Sequence, residues 1–464
     1  MDKFDNYFGL EVAHTYLKND SLIELSEDEE SQIKEGYSLR LEYNNMSVRL
    51  GPEITSKGAQ GIIYELVGNP DCVIKILKRE SRTTYNERKL IELLKFNNSN
   101  KNICWPLDIV RTSRGVFVGF VMPRIYGKDL SALTKRPTLI LRNYPTFNRK
   151  KQIEMILSIL NQFIYLHDKN ILVGDVKLEN IVFDKDTFDI TLIDMDSVQA
   201  GLFNCDTTTP GYDSPEVILS RGKDKCTERF ENDKYVFYKY YRDHYRSLDN
   251  EYYALSVLIY RFLMGGVFPY QQDNYDGGYE SCCGADGDFD TRLEQDFMLR
   301  KCIESDFPYG LDYNSTGKSC QNLNIWSHFP SFLKEAFVDA FGNKNNSVRR
   351  TPEEWKVIFE KYLKIIDGRL PSIDGEFNSI SPANVADYNS LIFKVTEIYE
   401  HRGFTMAQAV VRCVRNLGNN GIAPYIKDIV KALKMNPNYT LGDKYKFSLI
   451  YNIGILKKVQ LEVL

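Results

Sequence analysis

Asp175, Lys177 and Asn180 fall within VGDVKLENIVF, residues 173–183, and Asp194 falls within TLIDMDS, residues 191–197. Carboxylate and amide oxygens are hard ligands of the kind that hold Mg²⁺. A lysine among them offsets phosphate charge, and a carboxylate can orient a hydroxyl and take its proton. Upstream, SKGAQGIIY, residues 56–64, places Gly58 and Gly61 between two predicted strands. Backbone without Cβ can close over phosphates there, although glycines in an ordinary hairpin read the same way. Lys75 lies in CVIKIL, an apolar strand where a solvated lysine is not expected. Glu87, on the next predicted helix, can supply its partner; an edge-strand lysine in water is the alternative. Phosphate cradle, cations, metal ligands and a hydroxyl-orienting acid are together the parts that phosphoryl transfer requires.

These residues must be positioned by the elements between them. VRLGPEIT, GIIYEL, CVIKIL, CWPLDIVRT and GVFVGFVMP are β-branched or aromatic runs punctuated by Gly, Pro and Asn, and they predict five strands. Tyr85 to Phe96 has helical spacing, and after Lys150 the chain turns helical, with apolar residues of KQIEMILSILNQFIYLHDK three and four apart. A strand-rich part followed by a helical part predicts two lobes joined at MPRIYGKDL, residues 122–130, with a ligand cleft between them. Residues 1–46 are polar, with an acidic stretch at Glu24 to Glu30, and read as an extension. Pro371 to Pro382 is rich in Ser, Pro, Gly and Asp and reads as a linker. Beyond it the spacing predicts four amphipathic helices, with Ser381 and Pro382 as a start signal and Gly403 and Gly418 as stops.

The 464 residues suggest more than one domain, with 43 % hydrophobic and 26 % charged residues as in soluble proteins. A formal net charge of −4 gives no global attraction to nucleic acid or anionic lipid. MDKFDNYFGL has no positive run leading into an apolar core, so no secretory signal is read there. The apolar run Tyr252 to Phe268 is interrupted by Arg261 and short for a membrane span. Nine cysteines at irregular spacing fit reduced thiols and a cytoplasmic location.

With these motifs in order, the chain resembles the eukaryotic-type serine/threonine protein kinase family. VGDVKLEN looks like the catalytic loop and DMD like the magnesium-binding motif. TTPGYDSPE, residues 208–216, resembles the end of an activation segment. EYYALSVLIYRFLMGG, residues 251–266, looks like the central buried helix. RRTPEEW, residues 349–355, resembles the late arginine motif. The match spans roughly residues 48–366, and the GD…N and LIDMDSVQ phrasing is most similar to a divergent bacterial branch.

The resemblance implies a role for each position. Lys75 would hold the α- and β-phosphates and pair with Glu87. Asp175 would orient the acceptor hydroxyl, Lys177 would neutralise the γ-phosphate, and Asn180 and Asp194 would bind Mg²⁺. Met122 would be the gatekeeper, with Pro123, Arg124 and Ile125 presenting backbone to adenine. Ile63, Val73 and Val182 would sandwich the ring, and Asp129 would reach the ribose. Glu216 would pair with Arg349. Three departures from the pattern matter. Val173-Gly174 stands for the usual His-Arg, so a phosphorylated activation loop has no arginine there. Met195 replaces a phenylalanine, and Asp196 replaces the glycine that ends the magnesium motif, which is expected to hinder an inactive flip.

Other features read more plainly. KYVFYKYYRDHYR, residues 234–246, interleaves aromatics with cations as a single-stranded nucleic-acid surface does, but an insert packed on the helical part fits an acidic chain better. Cys282, Cys283, Cys302 and Cys320 lack paired zinc spacing and read as ordinary thiols. His167, at the end of an apolar helix, reads as a packing or capping residue.

The expected fold class is α+β, a two-lobed protein-kinase-like fold with a C-terminal all-α helical domain. The boundaries are an N-terminal extension at 1–46, a catalytic domain at 47–367, a linker at 368–382 and a helical accessory domain at 383–464. The expected activity is ATP- and Mg²⁺-dependent phosphorylation of serine or threonine on a protein substrate, with self-phosphorylation at Thr207 or Thr208. A nucleotide-binding pseudokinase scaffold and a small-molecule kinase are the alternatives. Neither nucleic acid nor membrane is an expected partner, and the C-terminal helices are expected to dock on the kinase or on a partner protein.

Overall fold

A computed structural model of the protein describes residues 20–43, 45–55, 58, 60–96, 98–205, 209, 211–216, 246–271, 302, 305–309, 322–342, 348–364, 366–367, 378–383, 445–452 and 455–463. The chain divides into two compact units. One comprises residues 1–130, 161–209 and 225–251, and the other residues 131–160, 210–224 and 252–464.

Among the described residues of the first unit, the first helix is short, α1 (Glu27–Gln32), capped by the Ser26 hydroxyl. Strands β1 (Ser38–Leu41), β2 (Ser47–Thr55), β3 (Gly61–Leu66) and β4 (Cys72–Leu77) follow. Helix α2 (Thr84–Leu94), with the Thr83 hydroxyl accepting the Asn86 N–H, precedes β5 (Asp108–Arg111) and β6 (Phe117–Pro123). The six strands close a barrel in the order β1-β2-β3-β4-β6-β5. Side chains alternate across a strand. Leu50, Tyr64, Ile74 and Ile76 therefore share one core, whereas Leu77, Ile109 and Phe120 share another with Leu90 of α2.

The barrel has one strand more than the sequence predicts. β1 lies inside the stretch assigned to an extension and pairs with both β2 and β5. The boundary at residue 46 therefore cuts through a sheet. SLRL is too short to stand out by pattern, but Leu39 and Leu41 are buried in the barrel core. The segment before β1 is also tied down: the buried Arg82 guanidinium donates to Glu30 and to the Ile23 carbonyl.

A short β7 (Lys128–Asp129) ends the first run of this unit, and its remaining strands come later in the chain. Helix α3 (Pro137–Asn143) and α4 (Arg149–His167) come next, the latter passing from the second unit to the first after Leu160. Strands β8 (Ile171–Leu172), β9 (Ile181–Phe183), β10 (Ile190–Leu192) and β11 (Gln199–Ala200) follow. They form two small antiparallel sheets, β10-β9-β7 and β11-β8.

Helix α5 (Leu248–Leu263) leads into the second unit, followed by α6 (Leu323–Ser327), α7 (Ser331–Phe341) and α8 (Pro352–Lys364). This core is aromatic: Tyr260 packs edge-on to Phe307, Phe337 and Phe341. The Trp355 indole N–H donates to Ser256. Arg149 is fully buried, donating to Gln152 and to the carbonyls of Leu263 and Ile380, with its guanidinium over Phe329. Ile380 lies within the predicted linker, so the described end of that segment is packed.

The C-terminal expectation needs correction. Residues 445–452 and 455–463 are not helical: β12 (Tyr445–Asn452) and β13 (Ile455–Val463) pair antiparallel. KKVQLEV alternates Val459, Leu461 and Val463 with polar residues, a period-2 pattern that suits a strand. The predicted helices across residues 384–444 lie outside the described residues.

Candidate active site

All of the candidate catalytic and metal-binding side chains lie in the first unit. β4 sets Lys75 on the opposite face from Ile74 and Ile76, so its stem leaves the barrel core while the residue stays enclosed, 7 % exposed. Gly119 on β6, opposite Ile76, lets the two strands approach: a Cβ there would fall on the Lys75 carbonyl oxygen. A Cβ at Gly61 on β3 would run into the Ile76 carbonyl oxygen and press on the Lys75 Cγ.

The loop between β8 and β9 carries Asp175. Lys177 Nζ donates to Asp175 Oδ2 at 2.6 Å, and Asn180 Nδ2 donates to the Asp175 carbonyl at 2.9 Å. The Thr209 hydroxyl donates to the other oxygen, Oδ1, at 2.8 Å. A buried carboxylate thus holds an ammonium on one oxygen and a hydroxyl on the other. The main chain of the Leu178–Asn180 turn is locked in turn, because Ile193 N–H donates to the Asn180 carbonyl. This fixes the end of β10, and with it Asp194, beside Asn180. Asp194 adopts a left-handed backbone with φ 63°, a conformation that aspartate tolerates better than most residues.

Glu251 at the start of α5 holds the loop from behind. Its carboxylate accepts the N–H groups of Val173 and Gly174 at 3.0 and 2.8 Å, and it meets His167 Nε2 at 2.7 Å. His167 is therefore a packing and hydrogen-bonding residue, as its place at a helix end predicted. Gly174 has φ +73°, and a Cβ there would run into Cys205. Two constraints thus select glycine where the family pattern has arginine.

The expected pair of Lys75 and Glu87 is not formed. Lys75 Nζ donates to Asp194 Oδ1 at 2.9 Å and to both oxygens of Asp196 at 3.0 and 2.8 Å. Glu87 pairs with Arg111 at 2.7 Å, and Arg111 also pairs with Glu42 of the chain after β1. The cause is topological. β1, absent from the sequence reading, brings Glu42 next to β5, and Arg111 gathers both carboxylates. Burial works against the Lys75 ammonium, but the two carboxylates outweigh it and raise its pKa well above the ordinary lysine value. The Lys75 charge holds Asp194 below the usual carboxylate range, while burial pushes Asp196 up.

Helix α2 is fixed by other residues. The buried Lys89 ammonium donates to the carbonyls of Ser197 and Asn204 at 3.1 and 3.0 Å. The Tyr85 hydroxyl donates to Asn204 Oδ1 and accepts the Asn204 N–H. Sequence reasoning passed over Lys89, Tyr85, Arg111, Gly119 and the part played by Glu251. Tyr85 and Lys89 stand four apart, hence on one helix face, which was the available signal. For Arg111 and Gly119 the sequence held no comparable signal.

Among the positions read as adenine-facing, Ile63 is opposite Lys75, Val73 opposite Met122 and Val182 opposite Asp129 in the strand registers. Met122, Pro123, Arg124 and Ile125 are half-buried, and the Arg124 N–H donates to the Asp71 carbonyl. A Cβ at Gly58 would run into the Gly61 carbonyl oxygen. Ser56, Thr207, Thr208, Cys282, Cys283, Cys320 and residues 234–245 lie outside the described residues. Cys302 is buried with its Sγ 3.1 Å from the Tyr253 hydroxyl. Among the described residues no cluster of three metal-binding side chains occurs, and no helix is long and apolar enough to cross a membrane.

The second unit holds the other predicted pair. Arg349 grips Glu216 through two hydrogen bonds of 2.7 and 2.8 Å. Burial opposes ionisation of Glu216, but the Arg349 bonds and charge outweigh it and hold the carboxyl down at about 2.

Residues 55–284 match the family model described as the protein kinase domain. A cGMP-dependent protein kinase of Plasmodium berghei (strain Anka) is 26 % identical over 183 residues, which are 38 % of this chain and 20 % of that protein. The cAMP-dependent protein kinase catalytic subunit PRKX of Mus musculus is 30 % identical over 250 residues, 53 % of this chain and 61 % of the relative. The human PRKX is 30 % identical over 166 residues, 35 % of this chain and 39 % of its own length. The chain thus spans between about a fifth and three fifths of these relatives. By this match and these remote similarities to cyclic-nucleotide-dependent protein kinases, residues 55–284 resemble a protein kinase domain.

Proposed function

We propose that the chain is an ATP- and Mg²⁺-dependent protein kinase acting on serine or threonine hydroxyls. One observation carries the reading: buried Asp175 has the Lys177 ammonium on one carboxylate oxygen and the Thr209 hydroxyl on the other. That second oxygen is placed to receive a hydroxyl proton, and an acceptor serine or threonine reaching it would be oriented as Thr209 is. Lys177 then offsets charge on the transferred phosphate, and Lys75 holds the nucleotide's other phosphates. Ile63, Val73 and Val182 cover the base, Met122 to Ile125 present backbone to its edge, and Asp129 meets the ribose.

The donor set of Asn180 and Asp194 fits Mg²⁺: both offer hard oxygens, and the Lys75 charge keeps Asp194 ionised. The bound ion would supply charge compensation on phosphate oxygens. Phrasing such as GDVKLENIVF and LIDMDSVQ supports a place in a divergent bacterial branch. Irregularly spaced cysteines support a cytoplasmic enzyme, the acidic balance supports protein partners rather than nucleic acid or membrane, and residues 383–464 would serve docking.

A pseudokinase scaffold has one observation in its favour, namely that Glu87 is engaged by Arg111 and not by Lys75. Incubation with γ-labelled ATP and Mg²⁺ separates the two readings. Incorporation by the wild type, abolished in Asp175→Ala with nucleotide binding retained, is the expected result. Nucleotide binding without any transfer would establish the scaffold.

A further inference from the structure

We propose that Asp196, and not Glu87, is the residue that pairs with and positions Lys75; the consequence for nucleotide binding rests on the kinase reading above. Asp196 presents both carboxylate oxygens to Lys75 Nζ, at 3.0 and 2.8 Å, from the position where the family pattern has glycine. Its side chain is 10 % exposed, against 33 % for Asp194, the other carboxylate on the same ammonium. The more exposed carboxylate is the one left accessible to a metal ion. The more enclosed one stays on the lysine. A buried carboxylate that lost its lysine would be left uncompensated, so each member of the pair holds the other.

Two further observations explain how Glu87 is released from that task. Its carboxylate is spent on Arg111, which ties α2 to β5 and, through Glu42, to the turn after β1. Meanwhile α2 is held to the Ser197–Asn204 segment by Lys89 and Tyr85, through bonds that do not involve Lys75. The helix therefore keeps its place without an ion pair to β4. Asp196 is at the head of that same segment, in the short turn Met195–Ser197, whose Ser197 hydroxyl and N–H both donate to the Asp194 carbonyl. This turn sets the angle at which the Asp196 carboxylate meets Lys75.

The test is a pair of double-mutant cycles on the full chain without nucleotide, read by urea unfolding. One cycle combines Lys75→Met with Asp196→Asn, the other Lys75→Met with Glu87→Gln. The proposal expects coupling of at least about tenfold in the unfolding constant for the first cycle and below about twofold for the second. Coupling confined to Glu87, with none for Asp196, overturns it whether or not the protein binds ATP. A positioning role predicts more than a stability effect. Asp196→Asn should raise KM for ATP·Mg²⁺ by an amount close to that of Lys75→Met, and the double variant should be no worse than Lys75→Met alone. Independent, multiplying effects on KM would overturn the assignment. Absence of any phosphoryl transfer by the wild type would instead refute the kinase reading and leave the unfolding cycles to decide the pair.

Discussion

Glu251 accepts the backbone N–H groups of both Val173 and Gly174. One carboxylate thus satisfies two consecutive amides at the entrance to the loop that carries Asp175, and His167 steadies it from the end of α4.

Replacing Glu251 with leucine should therefore do more than remove a contact. It strands two buried N–H groups, each costing about 1–3 kcal/mol. Urea unfolding should show a loss of about 2–5 kcal/mol with an unchanged denaturant slope. Glu251→Gln, which keeps one acceptor oxygen, should lose less. A leucine variant within about 0.5 kcal/mol of the wild type would remove Glu251 from this role.

Gly119→Ala places a methyl group on the Lys75 carbonyl, so β4 and β6 must separate. Overpacking of this kind costs about 1–3 kcal/mol. Because the same displacement moves Lys75, ATP affinity should fall together with stability. Equal affinity and equal melting temperature in variant and wild type would show that the strands absorb the methyl group without shifting.

Asp194→Ala should abolish the Mg²⁺-dependent part of nucleotide binding while leaving Lys75 paired with Asp196. Calorimetric titration with ATP, with and without Mg²⁺, measures this directly. If Mg²⁺ strengthens binding equally in variant and wild type, the metal is held elsewhere.

Lys334 on α7 is fully buried, and burial pushes its ammonium down to about 7. Below that pH it is charged in both folded and unfolded chains, and the burial cost is full. Between about 7 and the unfolded value near ~10.4 the folded state releases the proton first. The unfolded state then binds more protons, so wild-type stability rises with pH across that window. Lys334→Met lacks this rise. Its stability advantage should be largest near pH 7 and shrink toward pH 10, as read by urea unfolding at several pH values. An advantage independent of pH would place the lysine charge in a solvated environment.

Much of the site was legible because its chemistry is local. Asp175, Lys177 and Asn180 lie within a few residues of one another, and a single loop brings them together. The strand CVIKIL announced its own burial, and alternation alone put Lys75 on the face away from Ile74 and Ile76. The resemblance also implied the Glu216–Arg349 pair, and that pair is formed in full. The sequence reading failed at 445–452 and 455–463, where a period-2 pattern was taken for helix, and at β1, whose four residues are too few to show a period.

Tertiary structure alone decided who pairs with whom among the charges. Lys75 had three acidic candidates at separations of 12 to over 100 residues, and sequence carries no distance between them. Closure of the barrel by β1 brought Glu42 to Arg111, Arg111 drew Glu87, and Asp196 was left to neutralise a buried lysine. Charge pairing in an enclosed site is settled by which groups the fold removes from water together, and that is a property of strand order and helix docking, not of the order of residues along the chain.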